Sequence, residues 1–252
     1  MKHARPRRRR GRSLVAAVGG LLIVGALGAV VLSLRTSRAV GDDTASSTPE
    51  VLVTIAPADL PEPVERVVVL GDSLVVGAEP GLRSRFAEHG VELTVVGGTG
   101  EGFLSPDAHW LDELDDAVSR TDPQVVVIEA CCNIPSPIAV AGGRAVDADS
   151  REAYAEWEAA ARRAVSMASA RGATVMWVVT PQVVAASSSR TLAGRITALN
   201  QIYARLGVEL IDWDAALRAE DAPGLRAGDG LHLTGAGSEV VAEATVEAVM
   251  ER

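Results

Sequence analysis

Apolar and polar positions follow three regimes along this chain. From Ser13 to Leu34, SLVAAVGGLLIVGALGAVVLSL, 22 residues pass without a charge. At about 1.5 Å per helical residue such a run crosses a hydrocarbon core of about 30 Å, so it predicts a transmembrane helix. Residues 35–63 then turn to Ser, Thr, Asp, Glu and Pro (GDDTASSTPE, APADLPEP). That composition buries too little surface to fold alone and predicts a flexible linker. Its one apolar run, Val51 to Ile55, is a candidate edge strand. Over 64–252, short β-branched runs alternate with helical stretches, the pattern of βαβ units around a parallel sheet. Strands are expected at Arg66 to Leu70, Glu92 to Val96, Gln124 to Ala130, Thr174 to Thr180 and Glu209 to Ile211. Several are continuous apolar runs, as strands covered on both faces require. A helix capped by Asp149 or Ser150 is expected to bury Tyr154, Trp157, Ala161, Ala164 and Ala168. A last helix, about Ser238 to Met250, is expected to wet Glu239, Glu243 and Glu247 and to bury Val241, Ala244 and Ala248. No internal repeat is present. The pattern predicts one three-layer α/β domain with a five-stranded parallel sheet.

Charge orients this arrangement. The first 38 residues hold nine of the chain's 24 basic residues and none of its 33 acidic ones, which leaves 15 basic against 33 acidic, or −18, on the remainder. An acidic body repels nucleic acid, and the basic cluster RPRRRRGR before the apolar run holds residues 1–12 in the cytoplasm by the positive-inside rule. The expected location is therefore a single-pass membrane protein with its domain outside the cell. The competing reading is a signal peptide cleaved near Ala39, with Ser37 and Ala39 as the small residues; the apolar run is longer than a typical h-region of about 7 to 15 residues. No cysteine follows the span, which excludes a lipoprotein. A hydrophobic content of 48% excludes a disordered chain, and two cysteines exclude a disulfide-stapled miniprotein. The bias to 23 Arg and one Lys fits a GC-rich bacterial genome.

In open α/β sheets the chemistry sits beyond the carboxyl ends of the strands, and four pieces of sequence fall there. The first strand runs into Gly71-Asp72-Ser73-Leu74, which puts Ser73 on a tight strand-to-helix turn, either as a nucleophile or as a helix cap. Near the C-terminus, Asp229-Gly230-Leu231-His232 supplies a base, with Asp229 three residues from His232 and able to hold its ring in one tautomer. The other histidines outside the basic segment, His89 and His109, sit in polar helical contexts and are read as surface or structural. Asn133, after the strand QVVVIEA and the pair Cys131-Cys132, is an amide able to donate to a developing oxyanion. The loop Gly97-Gly98-Thr99-Gly100-Glu101-Gly102 lets backbone approach a substrate and lacks the GxGxxG spacing of a dinucleotide site. No cofactor and no metal is expected, since two adjacent cysteines make neither a zinc site nor a CxxC redox motif. They are read as buried thiols or a strained vicinal disulfide.

These four pieces resemble the SGNH hydrolases, also called GDSL esterases, over the whole body from Gly71 to the last helix. The resemblance implies a flavodoxin-like α/β/α fold with strand order 2-1-3-4-5. It also implies Ser73 as nucleophile and oxyanion donor, Gly100 (or Gly98 or Gly102) and Asn133 as further oxyanion donors, and Asp229 and His232 as the other triad members. One block departs from the family: where GxND is usual, this chain reads Cys131-Cys132-Asn133-Ile134. The GxSxG motif of the α/β-hydrolases is absent.

The expectation is a serine esterase outside the membrane, acting on short acyl esters, chiefly acetyl, of cell-envelope glycans or small molecules. Acyl transfer would use the same residues, and a separate membrane acyltransferase is a compatible partner. Trp110, Trp157, Trp177 and Trp213 include candidates for sugar stacking, although most read as core. Two rivals belong to other classes: a catalytically inactive membrane-anchored binding module, and a thiol-redox protein using Cys131 and Cys132.

Overall fold

The computed structural model describes residues 63–106, 109–140, 143–184, 190–220 and 222–252. The predicted cytoplasmic segment, transmembrane helix and linker, up to residue 62, and the edge-strand candidate Val51 to Ile55 lie outside the described residues. Among the described residues, no helix is long and apolar enough to cross a membrane.

In chain order the strands are β1 (Arg66–Leu70), β2 (Glu92–Val96), β3 (Val125–Ile128), β4 (Ile138–Ala139), β5 (Ala145–Val146), β6 (Thr174–Val179) and β7 (Glu209–Asp212). The helices are α1 (Ser73–Glu88), α2 (Trp110–Thr121), α3 (Arg151–Ala170), α4 (Arg190–Tyr203), α5 (Trp213–Ala219) and α6 (Gly235–Met250). Five of the strands pair in parallel in the spatial order β2-β1-β3-β6-β7, the order that the resemblance implies. In the register of β1, Val68 stands between Thr94 on one side and Val126 on the other.

Because successive side chains of a strand point to opposite faces, the apolar runs feed two cores. One face sends Val67, Val69, Val125, Val127, Met176 and Val178 against Phe86, Trp213 and Val241. The other sends Val68, Leu70, Val126, Ile128 and Trp177 against Trp110, Trp157 and Tyr203. Burying each Val or Leu contributes about 1.5–3 kcal/mol, so both faces hold the sheet between its helices.

Besides one-residue shifts at the start of β3 and at the ends of β6 and β7, the sequence pattern differs from this fold in four places. β3 stops at Ile128, although the Glu129 amide still donates to Leu70 O at 2.8 Å. The two-residue hairpin of β4 and β5 is too short to show a period. α3 is capped by Ser150, whose side chain accepts from the Ala153 amide, while Tyr154 is only half-buried. α6 begins at Gly235 and buries Val241, Ala242, Thr245, Val246 and Val249, so Ala244 and Ala248 sit at the margin of its dry face.

The turns that carry the site are packed backbone to backbone. Gly97 has φ +98°, and a Cβ there would collide with the Gly71 carbonyl oxygen. Gly97→Ala is therefore expected to cost about 3 kcal/mol, from a strained φ and a displaced β1–α1 turn together. Urea unfolding measures it; a change below about 0.5 kcal/mol, ordinary for an unconstrained surface position, contradicts the packing.

Candidate active site

The first strand ends where its backbone still belongs to the sheet, with the Gly71 amide donating to Val96 O at 3.1 Å. Asp72 is the N-cap of α1, accepting from the Leu74 amide at 3.0 Å, so Ser73 is the first helical residue and its hydroxyl is free of capping. Ser73 Oγ lies 2.9 Å from His232 Nε2, across 159 residues of sequence.

His232 comes from the segment before α6, a loop with its own restraints. The Ala227 amide donates to His232 O at 2.7 Å, Thr234 N to Leu225 O at 3.1 Å, and Val184 N to Gly230 O at 3.1 Å. Arg226 Nη1 donates to Leu231 O at 2.9 Å. Asp229 closes a turn within that loop: Oδ1 accepts from the amides of Leu231 (2.9 Å) and His232 (3.0 Å), and Oδ2 lies 2.5 Å from His232 Nδ1. The hydrogen bond with His232, then that from Leu231, pulls the Asp229 carboxyl down to about 2, so it is ionised at neutral pH. A neutral imidazole that donates from Nδ1 to this carboxylate presents Nε2 as an acceptor to the Ser73 hydroxyl. The His232 and Asp229 side chains are about half-exposed, at 44% and 51%, which leaves the serine open to a ligand from solvent.

Asn133 enters from the loop after β3, and Asp72 fixes it. Asp72 Oδ2 accepts from Asn133 Nδ2 at 3.0 Å and from the Cys131 amide at 3.1 Å. A side-chain amide carries two N–H bonds, of which Asp72 takes one. Arg195 of α4 braces the same loop from outside: Nη1 donates to Cys132 O at 3.0 Å, and Nε and Nη2 grip Asp149 at 2.8 and 3.0 Å. Asp149, one of the two expected caps of α3, thus holds Arg195 instead.

The glycine loop meets this group at Gly102. Gly102 packs against Asn133, since a Cβ there would lie 2.7 Å from Asn133 O. Gly100 has φ +78° with open space where a Cβ would point. Cys131 and Cys132 are buried free thiols, and burial pushes the Cys131 thiol well up, which keeps it protonated and unsuited to redox exchange. His89 and His109 are exposed. All four tryptophans are buried at 2% exposure or less, so none forms a sugar platform.

Sequence reasoning assigned no place in the site to Asp72, Glu129, Arg195 or Asp149. For Glu129 a signal existed: a lone acid at the end of the apolar run QVVVIEA. It is wholly buried, and its Oε2 accepts from the Asp72 amide at 3.2 Å.

The model of the family described as "Protein of unknown function (DUF459)" matches residues 66–248. No curated protein matches the chain. Among solved structures, a protein of Slackia heliotrinireducens assigned to the SGNH hydrolases is 21% identical, with a TM-score of 0.56, covering 74% of this chain and 99% of that one. A GDSL-like lipase from Bacteroides thetaiotaomicron is 17% identical, with a TM-score of 0.51, covering 74% of this chain and 88% of that one. The psychrotrophic esterase EstA from Pseudoalteromonas sp., solved with monoethylphosphonate as inhibitor, is 15% identical, with a TM-score of 0.51, covering 74% of this chain and 97% of that one.

Proposed function

The chain belongs to the DUF459 family, an SGNH-like family, and carries the SGNH hydrolase fold; from that premise we propose that it is a serine ester hydrolase acting outside the cell membrane. The observation that carries this reading is the continuous chain Ser73 Oγ to His232 Nε2 (2.9 Å) and His232 Nδ1 to Asp229 Oδ2 (2.5 Å). A hydroxyl becomes a nucleophile at neutral pH when a base takes its proton as it attacks, and this alignment supplies the base and the group that orients it.

Ser73 Oγ attacks the ester carbonyl carbon while its proton passes to His232 Nε2, and Asp229 stabilises the imidazolium. The tetrahedral oxyanion is held by the amides of Ser73 and Gly100 and by the remaining N–H of Asn133. Collapse expels the alkoxide, which leaves as the alcohol with the proton from His232. Water then attacks the acyl enzyme, His232 again taking the proton, and the carboxylic acid departs from a regenerated Ser73. A sugar hydroxyl in place of that water gives acyl transfer with the same residues.

The half-open triad and the expected extracellular placement favour short acyl groups, chiefly acetyl, on cell-envelope carbohydrate. The test is hydrolysis of p-nitrophenyl esters of increasing chain length, followed by acetate release from acetylated glycans. Acetate esters are expected to turn over fastest, and release of acetate from glycan to depend on Ser73. Faster turnover of long-chain esters would contradict the substrate assignment. In the same assay, Asn133→Ala is expected to lower kcat by about 10²–10³, the usual effect of losing one oxyanion donor, with KM little changed.

A further inference from the structure

The least expected group near the site is a carboxyl without access to water. Glu129 is 0% exposed, its Oε1 has no hydrogen-bond partner among the described residues, and its Oε2 touches the turn that carries the nucleophile, accepting from the Asp72 amide at 3.2 Å. A Cβ on Gly71 would lie 3.1 Å from that same oxygen, so the glycine leaves the carboxyl room beneath the turn. Asp72, itself 1% exposed, gathers three donors: the Leu74 amide on α1, and the Cys131 amide and Asn133 Nδ2 beyond β3. Glu129 and Asp72 together therefore join the serine turn to the asparagine loop.

Building on the assignment of Ser73 as nucleophile, we propose that Glu129 is a positioning residue that works as a neutral acid, holding the Asp72 turn so that Ser73 and Asn133 face one reacting carbonyl. Two adjacent buried carboxylates cannot both be charged without a large desolvation and repulsion penalty. Burial raises both carboxyls, but at Asp72 the hydrogen bonds it accepts oppose that rise, whereas at Glu129 the Asp72 charge adds to it. Glu129 therefore carries the proton, and Asp72 the charge that its three N–H partners satisfy. The other titratable groups that act on this pair are Cys131 and Cys132 beyond β3, Tyr203 of α4, and His232 across the site. Ionising Glu129 would place a second buried negative charge beneath the oxyanion donors, where it opposes the developing charge.

The test compares the full-length chain with Glu129→Gln and Glu129→Leu, measuring thermal stability and the rate at which a fluorophosphonate labels Ser73 between about pH 6 and pH 10. Glutamine is a neutral isostere and is expected to keep the neutral-pH rate within about 3-fold, while leucine loses about 30-fold or more. The wild type is expected to fall behind Glu129→Gln by about 10-fold at the alkaline end. Cys131, Cys132, Tyr203 and His232 are present in both chains, so that ratio isolates the change at Glu129. The proposal is overturned if glutamine loses as much as leucine, if folded Glu129→Leu labels like the wild type, or if wild type and Glu129→Gln share one pH profile; the last comparison holds even if the leucine variant does not fold. Absence of labelling in every chain would instead remove the assignment of Ser73 itself.

Discussion

Ser73→Ala is expected to lower ester turnover by about 10⁴-fold or more while leaving the protein folded. The two halves of that expectation have separate causes. The hydroxyl is the atom that forms the acyl bond, and alanine offers no oxygen in its place at the end of β1. Stability is spared because α1 takes its cap from Asp72, not from Ser73, and because alanine is the best helix former at the vacated position. Deleting the hydroxyl gives up its contact with the half-exposed His232. Thermal unfolding and kcat/KM on p-nitrophenyl acetate check both halves. A variant retaining a tenth of wild-type turnover would mean that another group performs the attack.

Asp229→Asn carries the second largest expected effect, a fall in kcat of about 10³–10⁴. The asparagine oxygen can still accept the amides of Leu231 and His232, so the turn persists. Its NH2 then faces His232 Nδ1 and makes that nitrogen an acceptor, which moves the ring proton to Nε2 and removes the base from Ser73. The pH dependence follows from the same contact. Asp229 has its pKa lowered to about 2 in the folded protein, so its stabilising contribution is complete above the ordinary carboxylate range and is lost only as pH falls towards that value. Asp229 therefore supplies no acid limb to activity above about pH 4.

How much of this was legible depended on whether the signal was local. β1 begins and ends where its β-branched run predicts, because both faces of the sheet are covered there and Val67 to Leu70 are all wanted inside. β2 keeps its expected bounds at the sheet edge, with its residues only half-buried after an exposed Glu92. Ser73, Asp229 and His232 were legible because each stands in a short motif at a strand or helix boundary. The two-residue strands β4 and β5 carry no period to read. Asp72, Glu129 and Arg195 act through contacts 57 to 63 residues away in sequence, which only the folded chain brings together. Those contacts also account for the unusual Cys131-Cys132-Asn133 block. With the usual GxND pattern gone, Asp72 ties the Cys131 amide and the Asn133 side chain from within, and Arg195 ties the Cys132 carbonyl from without. The tryptophans show the opposite case, since an indole in an apolar run reads equally as core or as platform, and packing alone decides it.

The central claim is that Ser73 is an activated nucleophile, and covalent labelling tests it without knowledge of the natural ester. The full-length chain is treated with a fluorophosphonate, the adduct is located by peptide mass spectrometry, and the experiment is repeated on His232→Ala. The account predicts a single adduct on Ser73 in the wild type and its loss in the variant. Folded wild-type protein without an adduct on Ser73 would contradict it and leave a binding module built on this fold.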